Sequence, residues 1–241
     1  MCTYGTLRPD AADTWALRIV IAGAHGQIAR ETGRLLVAAD HDVAGLIRNP
    51  DQAGDLEADH VAPVILDLEN STLEDLTQVL TGADLAVFAA GAGPGSSIAR
   101  KDSVDRAGAV LLAEAAEQAG VGRLIQISSA GTESVSGGQR PEGLQDAMFA
   151  YLVAKRAAEE DLMARTDLDW TILRPGTLTN GDPVGLVELG PDVASSTVPR
   201  QDVAAVLAEL AKTGRGSRQV LGLVTGTDPI PDAVAALPVA L

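Results

Sequence analysis

The stretch IVIAGAHGQIAR, Ile19 to Arg30, decides how the rest of the chain is read. Its opening run of β-branched and small apolar residues suits a buried strand, and glycines follow at Gly23 and Gly26 with Ala29 where a third would fall. Gly23 ends the strand, Gly26 permits close backbone approach, and Ala29 is small enough for a following helix to pack on a sheet. These are the demands of a pyrophosphate-binding strand-turn-helix, in which unpaired helix N–H groups receive the phosphates. The spacing G-x-x-G-x-x-A departs from G-x-G-x-x-G, so a tight structural corner is the competing reading.

Working outward, strand-like and helix-like segments alternate. LRIVIAG (17–23), HDVAGLIR (41–48), HVAPVILDL (60–68), ADLAVFAAG (83–91), GRLIQISSAG (122–131) and LDWTILRPG (168–176) read as strands. Helical spacing covers 26–39, and STLE presents a capping box at Ser71 and Glu74 for a helix to about Gly82. A long Ala/Leu-rich helix is expected from the glycine-rich loop GAGPGSS to about Gln118, with further helices over 145–166 and 201–212 and a short one at the end. Short strands are expected at 184–189, 194–198 and 217–224. Nearly continuous apolar strands between helices predict an α/β fold, a doubly wound parallel sheet covered on both faces. Residues 1–16 read as an N-terminal arm and 17–241 as one domain, with a small C-terminal substrate lobe around 176–200.

Composition narrows the partners. The 241 residues carry a formal net charge of −15 with no basic block, which disfavours nucleic acid and acidic membranes. A small-molecule partner remains compatible, because a few local donors overcome a distant, screened field. One cysteine excludes an internal disulfide, and His25, His41 and His60 lack metal-site spacing. With no secretory-type or membrane-length apolar run, the expectation is a cytoplasmic protein, monomeric or homodimeric, without a metal.

The strand ends carry the candidate chemistry, since ligands of such sheets bind outside the carboxyl ends of the strands. GLIRNP places Arg48, rather than an acidic residue, at the end of strand two, where a guanidinium suits a ribose 2′-phosphate; a solvated loop arginine is the plainer alternative. Arg30 and Arg34 are candidates to assist it or simply decorate a helix face. Asp67 closes strand three, near an adenine amino group if that crevice holds a dinucleotide, or serves a turn. ISSAG supplies Ser128 and Ser129, and YLVAK puts Tyr151 and Lys155 on one helix face. An ammonium near a phenol favours phenolate, and a serine hydroxyl orients a substrate oxygen, so Tyr151, Lys155 and Ser128 or Ser129 suit hydride transfer at a carbonyl.

Taken together, GAHGQIAR, GLIRNP, VILDLEN, VFAAGAGPG, LIQISSAG, YLVAK, LDWTILRPGTLT and VPRQDVAAVLAEL resemble the atypical or extended-type short-chain dehydrogenase/reductases. The resemblance is to their NAD(P)H-binding branch, near NmrA-like and NAD(P)-dependent epimerase-like proteins, and spans roughly residues 17–235. It implies a Rossmann fold and bound NADP(H), with Gly23, His25, Gly26, Gln27 and Ile28 near the pyrophosphate and Arg48 at the 2′-phosphate. It also implies Asp67 and Leu68 at the adenine, Ala89, Ala90 and Gly91 along the ribose, Lys155 at the nicotinamide ribose, and Pro175, Gly176, Thr177 and Leu178 beside the nicotinamide. Two positions depart from the family: His25 stands for a small hydroxyl residue, and DRAG (105–108) has Asp105 where relatives often carry Asn. The functional expectation is an NADP(H)-dependent oxidoreductase or epimerase-like enzyme for a small carbonyl or alcohol. Alternatives are a non-catalytic NADP(H) sensor and a flavin or quinone reductase.

Overall fold

The computed structural model describes residues 16–93 and 95–238. The N-terminal arm, apart from its last residue, lies outside the described residues. In chain order the elements are β1 (Arg18–Ala22), α1 (Gln27–Val37), β2 (Asp42–Ile47), α2 (Ala53–Ala58), β3 (Ala62–Ile65), α3 (Leu73–Leu80), β4 (Leu85–Phe88) and α4 (Ile98–Arg100). A π-helical stretch, Lys101–Gly108, runs into α5 (Ala109–Ala119), followed by β5 (Arg123–Ile127), α6 (Asp146–Ala164) and β6 (Asp169–Pro175). The remainder is β7 (Thr177–Thr179), β8 (Leu186–Gly190), β9 (Thr197–Pro199), α7 (Arg200–Thr213), β10 (Gln219–Thr225), β11 (Asp228–Pro229) and α8 (Ile230–Ala235).

The main sheet has the order β11-β8-β10-β6-β5-β4-β1-β2-β3. From β3 to β10 every pairing is parallel, whereas at the edge β8 pairs antiparallel with both β10 and β11. The expected doubly wound sheet is present, and strand order reverses between β1 and β4, opening a crevice at their carboxyl ends. β1 shows why its sequence is apolar without alternation. Ile19 and Ile21 enter the core under α1 and α7, while Val20 and Ala22 enter the opposite core under α3, α5 and α6. Both faces are buried, so each side chain is removed from water whichever way it points.

Four local outcomes differ from the expectations. The box opening α3 is formed by Thr72 and Asp75, not Ser71 and Glu74: Thr72 Oγ1 accepts from Asp75 N, and Asp75 Oδ2 accepts from Thr72 N. Ser71 is instead consumed by the preceding turn, where its hydroxyl donates to Asp67 O at 2.7 Å. The helix after the glycine-rich loop is interrupted by the π-helical stretch, and α2 occupies a segment not read as helical. Finally, β6 does not simply stop at Pro175 and Gly176: the chain stays extended into β7, which pairs with β9 in a separate two-stranded sheet. A side chain at Gly176 would run into Ser196 O, so only glycine allows this crossing.

Candidate functional site

Gly23 adopts φ +78°, and a Cβ there would lie 2.6 Å from Ala90 Cα. The end of β1 therefore packs directly on the backbone after β4, at the switch point. Gly26 caps α1 in extended conformation with no side-chain cap bond, and the first turn of α1 holds no acidic residue. The first helical bond runs from Arg30 N to Gly26 O, leaving the N–H groups of Gln27, Ile28 and Ala29 without helical acceptors. A helix end bare of its own anion fits an external one.

This end borders a cavity of 350 Å³. Gly23, His25 and Gly26 form one wall, and Arg48, Asn49 and Gln52 form a second. Asp67, Leu68 and Glu69 close the far end, and Ala89, Ala90 and Gly91 line the side toward β4. Nine residues expected from the sequence to touch a nucleotide thus converge here from the ends of β1, β2, β3 and β4, a gathering that fits a dinucleotide. Gln27 and Ile28 sit in the first turn of α1, where their main-chain N–H groups are the relevant donors. Pro175 ends β6, Gly176 follows it, and Thr177 and Leu178 lie in β7; none of these four lines the cavity.

Arg30 and Arg34 do not join Arg48. Arg30 Nε and Arg34 Nε both donate to Asp59, at 2.7 and 2.8 Å, tying α1 to the end of α2. These bonds, that from Arg30 first, hold the Asp59 carboxyl below the usual range. His25 is also drawn toward α2, with Nε2 2.7 Å from Asp55 Oδ2. Asp67 combines both readings made of it: it lines the cavity, yet Oδ1 accepts from Glu69 N at 3.1 Å and Oδ2 from Asn70 Nδ2 at 2.7 Å, which builds the turn. Arg48 is exposed and, among the described residues, makes a single long contact, 3.5 Å to Glu69 Oε2.

The other half of the crevice is organised by a buried ion pair. Lys155 Nζ lies 3.3 Å from Asp105 Oδ1, with side chains 5% and 1% exposed. Lys155 also donates to Ile127 O at 3.2 Å and Ala90 O at 3.4 Å, stitching α6 to the ends of β5 and β4. Asp105 Oδ2 accepts from Ala92 N at 3.1 Å, so the carboxylate organises the glycine-rich loop as well. Asp105, in the π-helical stretch, is thus paired with Lys155 on α6, two residues far apart in the sequence. Tyr151 is half-buried, its ring centre 6.0 Å from Lys155 Nζ. Ser128 is buried with its Oγ unpartnered among the described residues, whereas Ser129 is half-buried and its Oγ donates to Ala130 O at 3.1 Å. Lys155 Nζ thus lies closer to Asp105 Oδ1, at 3.3 Å, than to the centre of the Tyr151 ring, at 6.0 Å.

Glu69, Arg100, Asn49 and Gln52 were not anticipated. Glu69 accepts from Ser103 Oγ at 2.6 Å and from Arg100 Nε at 3.0 Å, and these bonds, that from Ser103 first, hold its carboxyl below the usual range. The only advance signal was VILDLEN, which brings Glu69 two residues behind Asp67. Among the described residues no cluster of His, Cys, Asp and Glu is suited to a metal, and no helix is long and apolar enough to cross a membrane.

A doubly wound sheet with a glycine turn, a bare helix N-terminus and an open crevice at its switch point defines a dinucleotide-binding protein of the oxidoreductase and epimerase type. The chain belongs to the NAD(P)H-binding family, whose model matches residues 23–213. It is 32% identical over 227 residues to the uncharacterized sugar epimerase YhfK of Bacillus subtilis, covering 92% of this chain and 100% of that one. A Bacillus halodurans structure provisionally named an NAD-dependent epimerase/dehydratase superposes with TM-score 0.82 at 33% identity, covering 92% of this chain and 100% of that chain. ChuY from Escherichia coli O157:H7, named as an anaerobilin reductase, superposes with TM-score 0.72 at 26% identity, covering 86% and 97%.

Proposed function

We propose that this chain is an NADP(H)-dependent oxidoreductase acting on a small carbonyl or its alcohol. The observation that carries this reading is the uncapped start of α1 opening beside a cavity whose rim holds Arg48. NADP(H), when bound, supplies or accepts the hydride. Around it, the N–H groups of Gln27 and Ile28 and the turn at Gly23 and Gly26 would bind pyrophosphate, and Arg48 the 2′-phosphate. Leu68 and Asp67 would border the adenine, Ala89 to Gly91 the ribose, and Pro175 to Leu178 the nicotinamide. Tyr151 would move the proton to or from the substrate oxygen, with Ser128 or Ser129 orienting it.

A second reading, reduction of a flavin, quinone or other conjugated acceptor, is favoured by the Lys155–Asp105 pair. A lysine neutralised by a buried carboxylate lends less electrostatic help to a tyrosinate, and a conjugated acceptor needs less proton transfer from the protein. ChuY, named as an anaerobilin reductase, is consistent with a reductase reading. Stopped-flow NADPH oxidation against panels of aldehydes, ketones, quinones and flavins distinguishes the two. For a carbonyl substrate, Tyr151→Phe is expected to lower kcat by about 10²–10⁴-fold, the range of general acid–base assistance. Turnover of quinone or flavin that survives Tyr151→Phe unchanged would select the second reading, and tight NADPH binding without turnover of any acceptor would turn both aside in favour of a sensor.

A further inference from the structure

Two guanidinium groups, one following a strand and one ending a short helix, reach one carboxylate inside the cavity. Arg48 follows β2, Glu69 follows β3 and Arg100 ends α4, and all three line the same space. Arg48 Nη1 and Arg100 Nε lie 3.5 and 3.0 Å from the same atom, Glu69 Oε2, while Ser103 Oγ holds Oε1 at 2.6 Å. Arg100 is further anchored by Nη1 donating to Ala92 O at 3.0 Å. A guanidinium carries five N–H donors, and these contacts leave most of those on Arg48 unused. The cluster is thus an arginine pair whose shared acceptor is a single internal anion.

Resting on the NADP(H) reading above, we propose that Arg100 is the second arm, beside Arg48, of a 2′-phosphate clamp, and that Glu69 sets the strength of discrimination by competing for both arginines. A phosphate monoester brings more negative charge than a carboxylate and three acceptor oxygens, so it takes bonds from two guanidinium groups where Glu69 offers one shared oxygen. Glu69 stays close by, and its repulsion of the incoming phosphate reduces the preference for NADPH that the two arginines create. A nucleotide with a free 2′-hydroxyl gains nothing from Arg100 and meets no such repulsion. Arg100 and Glu69 are accordingly specificity-determining residues that do not touch the nicotinamide end.

Isothermal titration of the full chain with NADPH and NADH, and with the half-molecules 2′,5′-ADP and 5′-AMP, reads this directly without turnover. Arg100→Ala is expected to weaken NADPH and 2′,5′-ADP about tenfold while changing NADH and 5′-AMP less than about twofold, and Arg100→Lys to recover part of the loss. Glu69→Gln, which keeps the shape and the acceptor for Ser103, is expected to tighten NADPH and 2′,5′-ADP about tenfold and leave NADH and 5′-AMP nearly constant. Equal weakening of all four ligands in Arg100→Ala would overturn the clamp, as would a selective loss of NADH in Glu69→Gln, the signature of a ribose-hydroxyl acceptor. Thermal melts of the ligand-free variants separate a misfolded pocket from a changed one. If the unaltered chain bound neither dinucleotide, the nucleotide reading would fall and this proposal with it; if it bound both and the variants left their ratio unchanged, only this proposal would fall.

Discussion

The two halves of the crevice are built on different principles. At the turn after β1, the site is made of backbone: a positive-φ glycine against Ala90 and a helix end without a cap. On the side of β5 and α6 it is made of charge, with Lys155 and Asp105 buried against each other and against the carbonyls of Ala90 and Ile127. The contrast teaches that the turn after β1 depends on shape and space, whereas the Lys155–Asp105 half depends on a balance of charge between two buried groups.

The largest effect should come from the charged half. Asp105→Ala leaves an ammonium in the interior without its counter-ion, and urea unfolding should show a loss of about 3–5 kcal/mol. Replacing both partners, Asp105→Leu with Lys155→Met, should recover much of that stability, because no unpaired charge remains. A single variant costing less than about 1 kcal/mol would mean that water reaches the pair and would remove the distinction between the halves.

In the backbone half, Gly23→Ala combines a left-handed conformation with overlap at Ala90 and should cost about 2–4 kcal/mol in the same assay. Its sharper consequence is that NADPH and NADH affinity should fall together, since the turn, not a base-specific or phosphate-specific group, has moved. A variant that folds normally and binds both as before would show that the turn is only a structural corner.

The smallest effect concerns the tie between α1 and α2. Asp59 is held below its usual pKa by Arg30 and then Arg34, so its contribution to stability is fully present above the unfolded-state carboxylate range and is lost as pH falls through the lower folded-state value. Asp59→Asn should therefore lower the urea midpoint at pH 7 by about 1 kcal/mol equivalent or less, and the difference from the parent chain should shrink in acid, below about pH 4. A difference that grows in acid would reverse the assigned sign.

Particular residues show why some of this was legible in advance. Ile19 to Ala22 had to be a doubly buried strand because its apolar run leaves no polar face, and Gly23 marks a turn whose space only glycine leaves open. STLED contains two overlapping cap patterns, and local propensity does not choose between them; the turn at Asp67, by engaging Ser71, leaves the cap to Thr72. α2 is illegible in the sequence because six residues with one buried side chain, Leu56, carry too short a period to read. Glu69 and Arg100 were silent because they are 31 positions apart and meet only when β3 and β4 take their places on either side of β1 and β2.

By itself the sequence determined the doubly wound sheet, the glycine turn and the position of Arg48 at a strand end, because each follows from local periodicity, chain stiffness or the absence of a side chain. Only the tertiary structure decided which charges are partners. It turned Arg30 and Arg34 toward Asp59, gave Lys155 to Asp105 and brought Arg100 and Arg48 to Glu69. The physical reason is that hydrophobic patterning repeats within each element, whereas an ion pair is set by a few ångströms between elements far apart in the chain.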